Sequence, residues 1–216
     1  MKIKAGDNIS VTIHWDRIVQ HWQVDPDTAL YHYTTPEAFY GIISSSSIWA
    51  TQIQYLNDHR ELHHTINLAE RELNRRLAAD DLPELKNFIL ERLQAVLRTQ
   101  ADSPIFVFSL SEEPDQLSQW RAYCRNGGYS VGFKTSALQK AGSEHGFELV
   151  KCVYDLQEQK TAVASLIDQT INEFLAAAPE HEDSRRLGFN IAAEFSPLLY
   201  ELAAVFKDPA FQEEKE

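Results

Sequence analysis

The chain has 216 residues, a length that predicts one domain or two small ones. Apolar residues make up 44% of it and charged residues 24%, which excludes a disordered or fibrous protein. With 20 Lys and Arg against 32 Asp and Glu, the formal net charge is -12, and so acidic a chain is not expected to bind a nucleic-acid backbone over a broad surface.

Three further features bear on the cellular setting. No apolar run approaches the length of about 18 residues that a membrane span requires, so no membrane partner is expected. The N-terminal segment lacks the apolar core of a signal peptide. Cys124 and Cys152 are too few for a disulfide scaffold, and we expect both to be reduced thiols. The sequence therefore predicts a cytoplasmic protein.

The first predicted elements follow an irregular arm over residues 1–28. Alternation predicts a strand over residues 29–34, and a helix is expected over residues 36–45. Thr34 and Glu37 have the spacing of a capping box at the start of this helix. A single α+β domain is expected over residues 29–216.

Two long helices are predicted next. Asp58 and Glu61 repeat the capping spacing, and a break over residues 80–83 separates the first helix from the second. Apolar residues follow the first helix start at helical period, at Leu62, Ile66, Ala69, Leu73 and Leu77.

The remaining elements are shorter strands and two more helices. The predicted ranges are a buried strand over 105–110, a helix over 116–124, strands over 129–133 and 147–154, and helices over 158–178 and 186–206. Gly127 and Gly128 are expected to form a turn that tolerates positive φ. This order predicts an α+β fold with a mixed or antiparallel sheet and several long helices packed around it.

A histidine cluster invites a metal hypothesis. His59 and His63 lie four residues apart, a spacing that lets two imidazoles face one ion. In a metalloprotease helix the glutamate directly follows the first histidine, whereas here it is Glu61, two positions on. His64 belongs to the same cluster, and no second cysteine or histidine group supplies an obvious third ligand. We therefore expect no metal site, with these histidines on a solvated helix face.

His32 is the first candidate ligand-binding residue. It stands between Tyr31 and Tyr33 at the end of a predicted strand, before a helix whose free N–H groups suit an anionic ligand. His32 is either a cofactor-binding side chain, with Tyr33 beside it, or a core histidine satisfied by the backbone. Asn57 has two interpretations as well, as a helix cap or as a partner for a ligand hydroxyl.

Ser109, Trp120 and Tyr123 complete the candidate cofactor-binding set. Ser109 follows the apolar run of a predicted strand, and Trp120 and Tyr123 lie three residues apart on a short predicted helix. The two aromatic side chains are most simply core residues. Alternatively, Trp120 beside Arg121 forms the floor of a base-binding pocket.

Six ordered segments resemble a bacterial family, domain-of-unknown-function family twenty-nine seventy-one. The segments are residues 30–34, 48–50, 56–61, 108–111, 119–123 and 128–133. The stretch from Phe206 to Glu216 adds to this resemblance. In the family this stretch continues into a further strand, so we expect a C-terminal strand to be missing here. The family name implies no activity.

A weaker resemblance suggests an activity. A histidine on an opening strand, followed by a short helix, is similar to the first motif of ADP-ribosyltransferases. That resemblance implies NAD as the cofactor, His32 at the adenosine-side ribose, Trp120 or Tyr123 stacking on nicotinamide, and a catalytic carboxylate from Glu213, Glu214 or Glu216. It predicts an NAD-using transferase or NAD glycohydrolase that acts in conflict or phage defence. The alternative is a non-catalytic module that binds a small nucleotide or a protein.

Overall fold

The structure is a computed structural model that describes residues 15–55, 59–98, 104–180 and 183–214. Its helices are α1 (Trp15–Val19), α2 (Pro36–Ser45), α3 (His59–Leu77), α4 (Glu84–Arg98), α5 (Leu117–Tyr123), α6 (Thr135–Glu144), α7 (Leu156–Ala177) and α8 (Ser184–Val205). Its strands are β1 (Ala29–Thr34), β2 (Thr51–Gln52), β3 (Phe106–Val107) and β4 (Tyr129–Lys134). None of the described helices is both long and apolar enough to cross a bilayer.

The chain divides into two compact units. The first contains α3, α4, α7 and α8, and the second contains the four described strands together with α2, α5 and α6. Long helices accompanied by small antiparallel sheets make the fold α+β, as the sequence predicts. The single domain expected from residue 29 onward stays a prediction.

The helical unit encloses an apolar core. Its four helices pack against one another. Leu73 of α3, Leu93 of α4, Leu166 of α7 and Phe195 of α8 are all fully buried. Each full burial of such a side chain contributes about 1.5–3 kcal/mol. This core explains why the sequence of these helices has a clear apolar period.

The buried face of α3 is rotated from the predicted stripe. Ala69 and Leu73 are buried as expected, and Thr65 and Leu68 are buried with them. The other three predicted positions are only half-buried, at Leu62, Ile66 and Leu77. The Thr65 hydroxyl donates to the Glu61 carbonyl at 3.1 Å. A threonine can therefore lie on the core face, which an apolar count does not detect.

The second unit is built on β1. β1 pairs antiparallel with β4, and His32 stands opposite Val131 in this register. At the other edge of β1, Tyr31 and Ser111 exchange two backbone hydrogen bonds of 2.8 Å. β2 pairs antiparallel with β3 in a separate two-stranded sheet. The sheets are thus antiparallel, one of the two arrangements predicted.

Two predicted strands are wrong in extent. The buried strand expected over residues 105–110 is reduced to β3, and Phe106 is 47% exposed. No strand forms over residues 147–154, where Val150 makes only an isolated bridge to Gln23. Val153 of this segment is buried although the segment forms no strand. A run of apolar residues can therefore be buried without a continuous ladder of strand hydrogen bonds.

The start of α2 and the presence of α6 differ from the prediction. The N-cap of α2 is Thr35, whose hydroxyl accepts from the Ala38 N–H at 3.3 Å, because Thr34 is the last residue of β1. α6 is a helix that the sequence analysis did not predict, and Thr135 is its one buried residue. The other capping residue, Asp58, lies outside the described residues.

The glycine turn before β4 is confirmed. Gly127 has a φ of +94°, a conformation that L side chains rarely adopt. A Cβ on Gly128 would overlap the Thr34 carbonyl oxygen and would lie 2.6 Å from the Cys124 Sγ. The backbone therefore passes too close to β1 for any side chain at residue 128.

Candidate functional site

The imidazole of His32 is held by the neighbouring segment. Its Nδ1 lies 3.1 Å from the backbone carbonyl oxygen of Ser109, and its ring centroid is 4.4 Å from that of Phe108. Because a carbonyl oxygen only accepts, Nδ1 carries the proton in this contact. Nε2 of the neutral ring is then an acceptor, and it has no hydrogen-bond partner among the described residues.

The protonation state of His32 follows from its surroundings. Burial lowers the pKa of the His32 imidazole and outweighs the hydrogen bond to Ser109, which acts in the opposite direction. The ring is therefore neutral near pH 7. A neutral acceptor nitrogen suits a ligand O–H donor better than an anionic phosphate.

His32 lies on an aromatic face of the β1–β4 pair. Paired residues of antiparallel strands share a face, and the register places Phe133 and Tyr129 on the face of His32. Phe108 meets Phe133 edge-on at 6.4 Å, and Phe39 of α2 lies 4.6 Å from Tyr129. Tyr129 remains 48% exposed. The rings on this face pack on one another, and Tyr129 keeps part of its surface open to solvent.

Tyr33 points to the opposite face, because successive residues of a strand alternate. Its ring is buried, and it meets Trp120 edge-on at 4.9 Å. Its hydroxyl donates to the Glu113 carbonyl at 2.6 Å and accepts from the Gln116 N–H at 2.8 Å. These contacts link Tyr33 to α5 and to the segment before it. The side chain of Tyr33 therefore does not face a ligand that lies beside His32.

The two candidate stacking residues on α5 also lie away from His32. Trp120 is half-buried, and its indole N–H donates to the Asp115 carboxylate at 2.7 Å. Tyr123 is 51% exposed. Since Trp120 packs on Tyr33, this predicted stacking group belongs to the side of the sheet opposite to His32.

The C-terminal glutamates fall partly within the described residues. The Gln116 side-chain amide donates to the Glu213 carbonyl at 2.8 Å, which holds the 3-10 helix Pro209–Glu214 beside α5. Glu213 is therefore on the Tyr33 side and not beside His32. The side chain of Glu214 lies outside the described residues, and so do Asn57 and Glu216.

One of the residues in contact with His32 belongs to the predicted site, and another does not. Ser109 does meet His32, but through its backbone carbonyl and not through its hydroxyl. Phe108 was not singled out, although it directly precedes Ser109 in an apolar run. The signal that could have found it is strand pairing, because residues 108–111 run alongside β1.

The histidine cluster has separate contacts. His64 Nε2 lies 2.8 Å from the Gln159 side-chain oxygen, and His63 is exposed. The side chain of His59 lies outside the described residues. Within the described part of the chain, no group of three or more His, Cys, Asp or Glu side chains could hold a metal ion.

Comparison with known proteins gives one match. Residues 119–216 match the family described as "Protein of unknown function (DUF2971)". This confirms the family resemblance over a range that includes two of the six ordered segments and the C-terminal stretch. No curated protein and no solved structure is significantly similar to the chain.

Proposed function

We propose that this chain, whose residues 119–216 match the DUF2971 family, is a nucleotide-binding module with His32 in its binding face. The observation that carries the proposal is the fixed, neutral imidazole. Its Nδ1 is bonded to the Ser109 carbonyl, so its acceptor Nε2 is left for a ligand. A ribose hydroxyl is a donor of the right kind for that nitrogen.

The aromatic surroundings of His32 support a planar ligand. Tyr129 is partly exposed on the same face, and Phe108 borders the imidazole. Stacking of a nucleobase on such a ring is worth about 1–3 kcal/mol and tolerates different bases. A nucleoside with a base on this face and a ribose hydroxyl on Nε2 uses both features.

NAD is the first nucleotide to test, because an NAD-using ADP-ribosyltransferase-like activity is the second candidate function. The presence of His32 on β1, directly before α2, favours it. The reaction also needs a carboxylate beside the ligand to stabilise the positive charge that develops as nicotinamide leaves. Glu213 packs beside Gln116 on the other face, in the same 3-10 helix as Glu214, so Glu216 is the predicted glutamate that this geometry does not count against. The binding module makes no such demand, and the described geometry supports it best.

Calorimetry with NAD and ADP-ribose tests the binding site. His32→Ala is expected to weaken binding by about 1–3 kcal/mol, the usual effect of removing a buried hydrogen bond. His63→Ala is the matched control, because His63 is exposed on α3. Thermal melts of all three proteins separate lost binding from lost folding. A wild type that binds neither ligand, or a His32→Ala protein with unchanged affinity, contradicts the proposal.

Release of nicotinamide from NAD separates the two function classes. Turnover that is lost in Glu214→Gln or Glu216→Gln supports the enzyme. Thermal stabilisation by NAD without any release of nicotinamide supports the binding module.

A further inference from the structure

A shallow depression lies at the C-terminal end of α5. It has a volume of about 430 Å³ and is lined by Trp120, Arg121, Cys124 and Arg125. Trp120 packs on Tyr33, so the depression belongs to the side of the sheet opposite to His32. The sequence hypothesis of a base-binding pocket at Trp120 falls on this depression.

Two cationic side chains border it without an acidic partner. Arg121 lies in the last turn of α5, and Arg125 follows just beyond the C-cap of this helix. Arg125 Nε donates to the Arg121 backbone carbonyl at 3.0 Å, and neither guanidinium forms an ion pair with a described residue. The chain has a net charge of -12, but at this depression two guanidinium groups lie beside an indole, and no described carboxylate pairs with either of them.

The other two lining residues add no negative charge. Burial raises the pKa of the Cys124 thiol, whose Sγ lies 3.5 Å from the Thr34 carbonyl oxygen, so it stays neutral. The indole of Trp120 adds an apolar wall, and its N–H is already bonded to Asp115. The Asp115 carboxylate therefore lies at the nitrogen-bearing edge of the indole, where it accepts this hydrogen bond.

We propose that this depression is a second binding site, which takes the phosphate groups of a nucleotide on Arg121 and Arg125 with the base against Trp120. Guanidinium groups donate paired N–H bonds to phosphate oxygens, and these charge-assisted bonds are about twice as strong as neutral ones. Aromatic walls beside such donors accept a nucleobase by stacking. The site is separate from the His32 face and does not depend on its function.

Titration with pyrophosphate, ADP and adenosine tests the site. Pyrophosphate carries no hydroxyl donor for the neutral His32 nitrogen, so it reports on the arginines alone. We expect ADP to bind more tightly than pyrophosphate, because ADP adds a base that stacks on Trp120. Adenosine has no phosphate, so replacing Arg121 and Arg125 should leave its affinity unchanged. Arg121→Gln/Arg125→Gln is expected to weaken binding of ADP and pyrophosphate about tenfold or more.

The matched control is Arg71→Gln/Arg185→Gln, which removes the same charge from two exposed arginines of the helical unit. It should leave both affinities unchanged at equal ionic strength, and melting curves check that each variant is folded. Equal loss in both double variants would show unspecific charge attraction and overturn the site. Absence of pyrophosphate binding by wild type, or equal affinity for pyrophosphate and ADP, overturns the nucleotide site as well. All titrations use proteins that also carry His32→Ala, so that ADP or adenosine bound at the His32 face does not contribute to the result.

Discussion

The ion-pair cluster around Glu72 gives a quantitative prediction for the helical unit. Glu72 of α3 accepts from Arg75 at 2.7 Å and from Arg76 at 2.7 Å, and Arg76 continues to Asp168 of α7. The hydrogen bond from Arg75 is the largest cause that lowers the pKa of Glu72, from 4.5 to about 2. Arg76 also donates to the Ala164 carbonyl at 3.2 Å, so the cluster ties α3 to α7.

The expected effect of Glu72→Gln follows from that pKa. A lowering of about 2.5 units corresponds to at most about 3 kcal/mol of stabilisation at neutral pH. The Arg75 side chain is 71% exposed, so water screens its share. We therefore expect Glu72→Gln to lower the free energy of unfolding by about 1–2 kcal/mol near neutral pH.

The sign of the pH dependence is fixed by the direction of the shift. Because the pKa of Glu72 is lower in the folded protein, its stabilisation is complete above the ordinary value of 4.5 and is lost as the pH falls towards 2. Urea denaturation of wild type and Glu72→Gln at about pH 7 and about pH 3 should show a difference that shrinks at the lower pH. Glu70→Gln, on the same helix and without an ion pair to a described residue, is the control. A difference that is the same at both pH values refutes the electrostatic explanation.

Three further substitutions test the fold and the site. Leu73→Asp places an unpaired charge in a fully buried position and should lower stability by about 3–5 kcal/mol; an unchanged melting temperature would mean that this face of α3 is exposed. Gly128→Ala should lower stability by about 2 kcal/mol or more, since its Cβ would meet Cys124 and the backbone, whereas Gly41→Ala, with open space around its Cβ, should not. The pKa of His32 is lowered in the folded protein, so the unfolded chain takes up this proton more readily and wild type loses stability between about pH 7 and pH 5. In His32→Gln this loss of stability should be smaller. Denaturation curves with the same pH dependence as wild type would contradict this.

The long helices α3, α4, α7 and α8 were predictable because helix formation depends on residues close together in the sequence. Leu73 in α3 and Leu93 in α4 each belong to a series of apolar residues with helical period, and both side chains are fully buried. Such a series marks the face with which a helix packs on its neighbours. The strands were harder, because strand formation depends on a partner distant in sequence. Residues 147–154 have the composition of a strand, but they form only isolated bridges, such as the one between Val150 and Gln23.

The candidate site was predictable only in part for the same reason. His32 is identified by its position between a strand and a helix. Its partner is the Ser109 backbone carbonyl, and a backbone contact leaves no mark on residue type. The side of the sheet on which Glu213 lies depends on the path of the chain around Gln116, which no motif specifies.

The tautomer of His32 and its response to NAD decide whether the free ring nitrogen of this imidazole binds a nucleotide. Long-range proton–nitrogen NMR resolves the two ring nitrogens, and the signals absent from His32→Gln belong to His32. We predict a proton on Nδ1, an unprotonated Nε2 near neutral pH, and a change at Nε2 when NAD is added. A proton on Nε2, or an imidazole whose nitrogens do not respond to saturating NAD, would contradict it.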